Sequence, residues 1–320
     1  MHEDDCDMMD GAPQSLRHLE FSCVHFELEF QQEARLPAGA FLQLRRELLD
    51  VARLAEGSQD GGCRALFEPP LPTDPVVRKR IQKPGPGFVI RGIPLTERVF
   101  EVGDSFELTV YFWGRAVRQL ADFARLLEML GRSGMSHGRA AFEIACIEAE
   151  DASGQRHLLH DATAVRGEPA PPLLDAGWFI DSVELAPEPT LEMRFVTPAR
   201  LLSRGKPIFK PSFRAIFPFL LRRVTSMAQA HCDLELIREP GDLIAAASHV
   251  EATRNTLHWA DWRRLEGEHS SQDLGGVVGS LRLEGRYLRQ IAWVLRLGSL
   301  LQVGKGAAYG AGRYTLHMIP

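Results

Sequence analysis

The chain has 320 residues, 45% of them hydrophobic and 25% charged, a balance that suits a globular protein with room for two domain cores. Its apolar runs fall short of the roughly 20 residues of a membrane span, and the opening MHEDDCDMMD is acidic where a signal peptide is basic and then apolar. A cytoplasmic protein without a membrane partner is therefore expected. Five cysteines, Cys6, Cys23, Cys63, Cys146 and Cys232, form no CxxC pair, which argues against a disulfide framework or a zinc knuckle, and neither a metal nor another cofactor is expected.

In chain order, FSCVHFELEF alternates Val24, Phe26, Leu28 and Phe30 against Cys23, His25, Glu27 and Glu29, the pattern of a half-exposed strand. Phe41, Leu44, Leu48 and Val51 then recur at helical spacing after Pro37. A long glycine- and proline-rich loop is expected from about Glu56 to Gly87, including the basic VRKRIQK. Two strands (GFVIRGI and SFELTVYFW), a helix (RAVRQLADFARLLEML), a glycine loop (GRSGMSHG) and a strand (RAAFEIACIEAE) complete the order β-α-β-β-α-β.

After RGEPAPPLLDAG the pattern restarts. TLEMRFVTPARLL reads as a strand, SFRAIFPFLLRRVTSMAQ as a helix that Pro218 kinks or starts, SHVEATRNTLHW and GGVVGSLRLEG as strands, and RYLRQIAWVLRLGSLL as a helix. Gly114, Arg115, Arg118 and Gln119 fall on Gly285, Arg286, Arg289 and Gln290 at a constant offset, and a three-residue insertion then pairs Gly138-Arg139 with Gly312-Arg313. This self-similarity predicts an α+β chain of two tandem ferredoxin-like (RRM-like) βαββαβ domains with a C-terminal glycine-rich loop. The expected boundaries are an acidic tail over 1–17, an N-terminal domain over 18–165, a linker over 166–186 and a C-terminal domain over 187–320. In this fold the open sheet face is a common seat for RNA.

The terminal VGKGAAYGAGRYTLHMIP holds Gly304, Gly306, Gly310 and Gly312. A dinucleotide fingerprint or P-loop sets its glycines between a strand and a helix, whereas the order here is helix, glycine loop, strand. A nucleotide-binding enzyme is thereby disfavoured, and a polyanion lying along a surface becomes the better partner. The net charge of −5 speaks against nucleic acid only as a total. Met193 to Cys232 carries eight basic residues and no acid, and Val277 to the end carries six against the single Glu284, so a basic face is available to RNA.

FVTPARLLSRGKPIFKPSFRAIFPFLLRRVTSM, HWADW with LGGVVGSLRLEG, and GKGAAYGAGRY together resemble the CRISPR-associated endoribonucleases that process precursor CRISPR RNA, a family of the RAMP superfamily. The N-terminal half is similar through CRALFEP and GDSFELTVYFWGRA. The resemblance implies CRISPR repeat RNA as the partner, with other subunits of a CRISPR effector complex as further candidates. It also implies metal-independent cleavage, in which the 2′-OH beside the scissile phosphate attacks to leave a 2′,3′-cyclic phosphate and a 5′-OH, and a product that stays bound. That chemistry needs a general base, a general acid and a cation.

Many members that this chain resembles carry a catalytic histidine on the first helix, but residues 37–56 contain neither His nor Tyr. The candidates become His137, in the first glycine loop, and His258, beside Trp259 and Trp262; His25 and His231 rank lower. For RNA contacts the candidates are Lys305, Tyr309, Arg313 and the four loop glycines, together with Arg204, Lys206 and Lys210, and one of the helical neighbours Arg222 and Arg223. A non-catalytic RNA-binding subunit of the same fold is the alternative.

Overall fold

The computed structural model describes residues 11–56, 63–71, 75–80, 84–161, 170–261 and 275–319. The N-terminal half contains β1 (Glu20–Phe30), β2 (Ala34–Leu36), α1 (Leu44–Glu56), α2 (Cys63–Phe67), α3 (Pro75–Arg80), β3 (Phe88–Ile90), β4 (Arg98–Phe100), β5 (Ser105–Trp113), α4 (Leu120–Ser133), a short turn α5 (Met135–Gly138), β6 (Phe142–Glu150) and β7 (Arg156–Asp161). Next come β8 (Leu174–Asp175) and α6 (Ala176–Asp181), and then β9 (Thr190–Ala199), the hairpin β10 (Leu202–Ser203) and β11 (Lys206–Pro207), α7 (Phe213–Cys232) and α8 (Gly241–Ser248). β12 (Glu251–Asn255), β13 (His258–Ala260), β14 (Gly276–Glu284), α9 (Leu288–Leu301) and β15 (Tyr314–Ile319) close the chain.

The first sheet runs β3-β5-β1-β6-β7 and the second β12-β14-β9-β15, antiparallel throughout. Leaving out β7, both follow the ferredoxin-like order 2-3-1-4, so the tandem architecture predicted from the repeat is the one observed. The matched glycines share a backbone role. Gly114 and Gly285 leave the third strand of each domain at φ 50° and 117°, and Gly138 and Gly312 lead towards the fourth at 84° and 68°.

Val24, Phe26, Leu28 and Phe30 are buried against α1 and α4, where Leu44, Leu48, Phe123, Leu126, Leu127 and Leu130 repeat at helical spacing. In the second domain α9 is buried nearly all round, from Leu288 to Leu301, between the sheet, α7 and α8. Pro218 lies inside α7 and neither ends nor starts it; Ser212 caps the helix by accepting from Ala215 N.

Several expectations need correction. Cys23 and His25, on the supposedly solvated face of β1, are buried. The long loop after α1 contains α2 and α3, and SHVEATRNTLHW splits into β12 and β13. Within the expected linker, β8 pairs with Glu20 and Phe21, and α6 is capped by Asp175 and tied to α9 by Arg296, which donates to the carbonyls of Phe179 and Ile180. Among the described residues no helix is long and apolar enough to cross a membrane.

Candidate active site and nucleic-acid interface

The two glycine loops lie in different settings. The first ends in α5, where Ser136 and His137 both adopt left-handed φ, 54° and 62°. Two consecutive non-glycine residues there hold a strain of about 1–3 kcal/mol each, a feature that gathers at functional sites. The turn is held against the first turns of α1: Glu47 accepts from Ser136 N at 2.9 Å, and Arg46 Nη2 lies 2.9 Å from His137 Nε2. A guanidinium only donates, so Nε2 carries a lone pair in this arrangement and Nδ1 carries the proton. His137 is exposed. A histidine thus stands at the first helix although that helix supplies none.

The second loop, from Val303 to Arg313, is a joint between the domains. Ile90 N donates to Ala308 O at 2.9 Å. Gln302, 1% exposed, accepts from Gly92 N through Oε1 and donates through Nε2 to the carbonyls of Ile90 and Ala307. Arg313 Nη1 donates to Gly92 O at 2.7 Å, and burial followed by the nearby Arg91 lowers its pKa. The loop amides of Lys305, Ala307, Tyr309, Gly310, Ala311 and Gly312 all donate to protein carbonyls. They are not aimed outward as an anion nest.

The loop glycines answer to local space. A Cβ at Gly312 would lie 1.8 Å from Val303 O, one at Gly304 2.6 Å from Arg200 O, and one at Gly310 3.1 Å from the Gly92 Cα. Tyr309 is the largest correction. It is 6% exposed, belongs to the N-terminal core and meets Phe88 edge-on at 5.6 Å, so its ring is not free to stack on a base. Burial pushes its phenol up to about 12. Arg45 of α1 lies over the ring, 5.8 Å from its centroid. α1 therefore meets both glycine loops: Arg46 at His137 and Arg45 at Tyr309.

Lys305 keeps an exposed side chain, and its amide donates to Arg200 O at the foot of the β10-β11 hairpin. Arg204 and Gly205 form the hairpin's two-residue turn, both with positive φ (50° and 79°), as a type I′ turn requires. Arg204, Lys206 and Lys210 are all exposed. Beside them Phe209, 55% exposed, packs edge-on against Trp259 at 4.8 Å. Cations that follow a backbone next to an open aromatic surface suit single-stranded nucleic acid. Phe209 escaped the sequence reading because its exposure depends on the hairpin.

The remaining candidates separate. His258 is exposed on β13, its Nδ1 3.1 Å from Thr256 O, on the other domain from His137; Trp262 lies outside the described residues. Arg222 is exposed over the ring of Phe219. Arg223 is half-buried, donates to Leu301 O at the end of α9, and has its pKa pushed down to about 10 by burial, so it is a helix-end contact and not an RNA ligand. His231 is buried against Gly85 O at 2.9 Å, and burial lowers it to about 4.

The open face of the first sheet is acidic. Glu27 lies opposite Glu107, and Glu148 opposite His25, with Arg156 reaching Glu107 at 2.6 Å and Glu148 at 3.5 Å. RNA would be repelled there, against the expectation for this fold. Among the described residues this face also holds a group with metal-ligand chemistry, Cys23, His25 and Glu150. The sequence signal was the Cys-x-His spacing on one face of β1, but the carboxylate arrives from β6.

Comparison with known proteins agrees with this architecture. Residues 193–314 match the family model described as CRISPR-associated endoribonuclease Cas6, and residues 59–170 match one described as an N-terminal domain. No curated protein matches. Among solved structures, the chain is similar to a partial Cas6-RT-Cas1–Cas2 complex (TM-score 0.58, 12% identity, 94% of this chain), spanning only 46% of that chain. It is also similar to Thermus thermophilus Cas6 (0.52, 16%, 93% of this chain and 99% of that one) and to a Cas6 product complex (0.51, 16%, with the same coverage). The family that the residues resemble, the CRISPR-associated endoribonucleases of the RAMP superfamily, is thus the one whose model the C-terminal domain matches and whose solved members share the fold of both domains.

Proposed function

We propose that this chain binds CRISPR repeat RNA and cleaves precursor CRISPR RNA without a metal in the reaction, by 2′-OH attack. The observation that carries the reading is His137 held on the first turns of α1 beside Arg46. Once Arg46 turns from His137 to the entering phosphate, the Nε2 lone pair can take the 2′-OH proton as the 2′-oxygen bonds to phosphorus. The 5′-oxygen then departs with the electron pair of the broken P–O bond and takes up a proton, leaving a 2′,3′-cyclic phosphate and a 5′-OH. Arg46, released from His137 when a phosphate enters, and the exposed Arg45 supply the positive charge that the crowded phosphorus centre requires. His258 is the second candidate.

In this reading Lys305, Arg204 and Lys206 of the hairpin and Lys210 just beyond it track the RNA backbone, while Phe209 and Trp259 offer a surface for bases. The product stays bound on these contacts. Other proteins of a CRISPR complex are further partners in this reading, in keeping with the Cas6-RT-Cas1–Cas2 assemblies that share the fold.

The second reading, a non-catalytic RNA-binding subunit, is favoured by the absence of His and Tyr from residues 37–56. Incubation with repeat RNA in EDTA separates the two, using RNAs with a 2′-deoxy substitution at each nucleotide in turn. One cut abolished by one substitution supports cleavage by this route. Tight binding with no cut favours the second reading, and a cut indifferent to every deoxy substitution contradicts the proposed chemistry.

A further inference from the structure

The most concentrated set of metal-ligating side chains lies on the acidic sheet face, away from the glycine loops. Cys23 and His25 project from one side of β1, and Glu150 of β6 is the cross-strand partner of Cys23. His25 is 5% exposed. Its Nε2 lies 3.6 Å from Cys23 Sγ and 3.2 Å from Glu150 Oε2. Around a tetrahedral zinc ion, with bonds of about 2.3 Å to sulfur and about 2.0–2.2 Å to nitrogen and oxygen, neighbouring donors sit roughly 3.3–3.6 Å apart. The two spacings around Nε2 are close to that. All three donor atoms fall within 4.8 Å of one another, and Glu150, 38% exposed in its side chain, is free to close the third edge.

The other ring nitrogen is occupied as a ligating histidine's would be. Nδ1 lies 3.2 Å from Glu107 Oε1 and 3.3 Å from Thr109 Oγ1, both on β5. A carboxylate that accepts from one imidazole nitrogen fixes the tautomer and turns the lone pair of the other towards a metal. Glu27, Glu107, Glu148 and Glu150 meanwhile outnumber Arg156, the Arg91 near Cys23, and His25 around the cavity and its rim. A surplus of negative charge at one place favours a cation. One buried thiol, one imidazole and one carboxylate select a borderline-soft divalent ion over magnesium or calcium.

We propose that Cys23, His25 and Glu150 bind one zinc-class divalent ion, with Glu107 positioning His25 and the fourth coordination site left to water or an incoming ligand. Binding releases the Cys23 proton and ties β1 to β6, with β5 attached through Glu107. The ion is no part of the cleavage chemistry, so this inference and the ribonuclease reading stand or fall separately.

The test uses the full chain, stripped with a chelator and titrated with Co2+ and then Zn2+. One Co2+ per chain is expected, with a sulfur-to-cobalt charge-transfer band that Zn2+ displaces, and Zn2+ should raise the melting temperature. Cys23→Ser should lose the band. Glu107→Gln should keep it while weakening binding about 10- to 100-fold, the effect of losing an outer partner. Glu150→Gln, at a partly exposed position, should also weaken binding and covers the case in which Cys23→Ser does not fold. Absence of the band in the wild type, its survival in Cys23→Ser, or affinity unchanged by Glu150→Gln would each overturn the proposal in favour of a plain His25–carboxylate ion pair.

Discussion

The two domains share a strand order and divide in surface chemistry. The open sheet face of the first is lined by Glu27, Glu107, Glu148 and Glu150, while the second carries exposed Arg204 and Lys206 on the β10-β11 hairpin and Lys210 just beyond it. A common architecture therefore does not fix the charge of the surface built on it. The comparison teaches that a shared strand order leaves surface charge free to differ: the basic hairpin is open to solvent, whereas the terminal glycine loop holds the domains together. The glycine loop of the first domain presents His137; that of the second buries Tyr309.

The largest expected effect tests this contrast between loops. Tyr309→Ala should cost about 3–5 kcal/mol of stability, as for other large aromatic truncations in a core, read as a lowered urea midpoint, while Tyr309→Phe stays close to wild type. If Tyr309 stacked on RNA instead, the alanine variant would melt normally and bind RNA poorly.

The contact of α7 with Gly85 should respond to pH. Burial holds His231 at about 4 in the folded protein, against about 6.5 in an unfolded chain. The unfolded state takes up a proton below about 6.5 that the folded state refuses until about 4, so stability is complete above the first value and falls as pH drops towards the second. The loss at this site should reach about 3 kcal/mol, seen as a falling urea midpoint between those pH values and flattened in His231→Gln.

A smaller effect sharpens the contrast of surfaces. Replacing Arg204, Lys206 and Lys210 together by alanine should weaken RNA binding and lower the slope of log K against log salt by about 2, at about 0.7 for each single-strand phosphate that is no longer neutralised. The smallest is Glu148→Gln on the acidic face, which should leave RNA affinity within about 2-fold, because charges beyond a Debye length of about 8 Å are largely screened. An unchanged slope in the triple variant would remove the hairpin from the interface.

Much of the fold was legible because hydrophobic period was clear. SFELTVYFW became β5 from Ser105 to Trp113, and the repeat of Gly114 in Gly285 foretold the second domain. The site was less legible. A glycine loop reads the same whether its amides face a phosphate or the carbonyls of a neighbouring segment, and only tertiary packing shows that Gly310 lies against Gly92 and Tyr309 against Phe88. His137 stood out from its loop position, but its meeting with Arg46, 91 residues earlier, has no local signal. Likewise Cys23 and His25 alternate as a solvated face would and are buried because β5 and β6 flank them.

The most direct test of the central claim is single-turnover cleavage of the repeat RNA by wild type and His137→Ala, with RNA affinity measured on the same preparations. The account predicts affinity within about 3-fold and a cleavage rate lowered by about 10²–10⁴-fold, the usual contribution of a general acid or base. Equal cleavage by the two proteins would contradict it and move the search to His258.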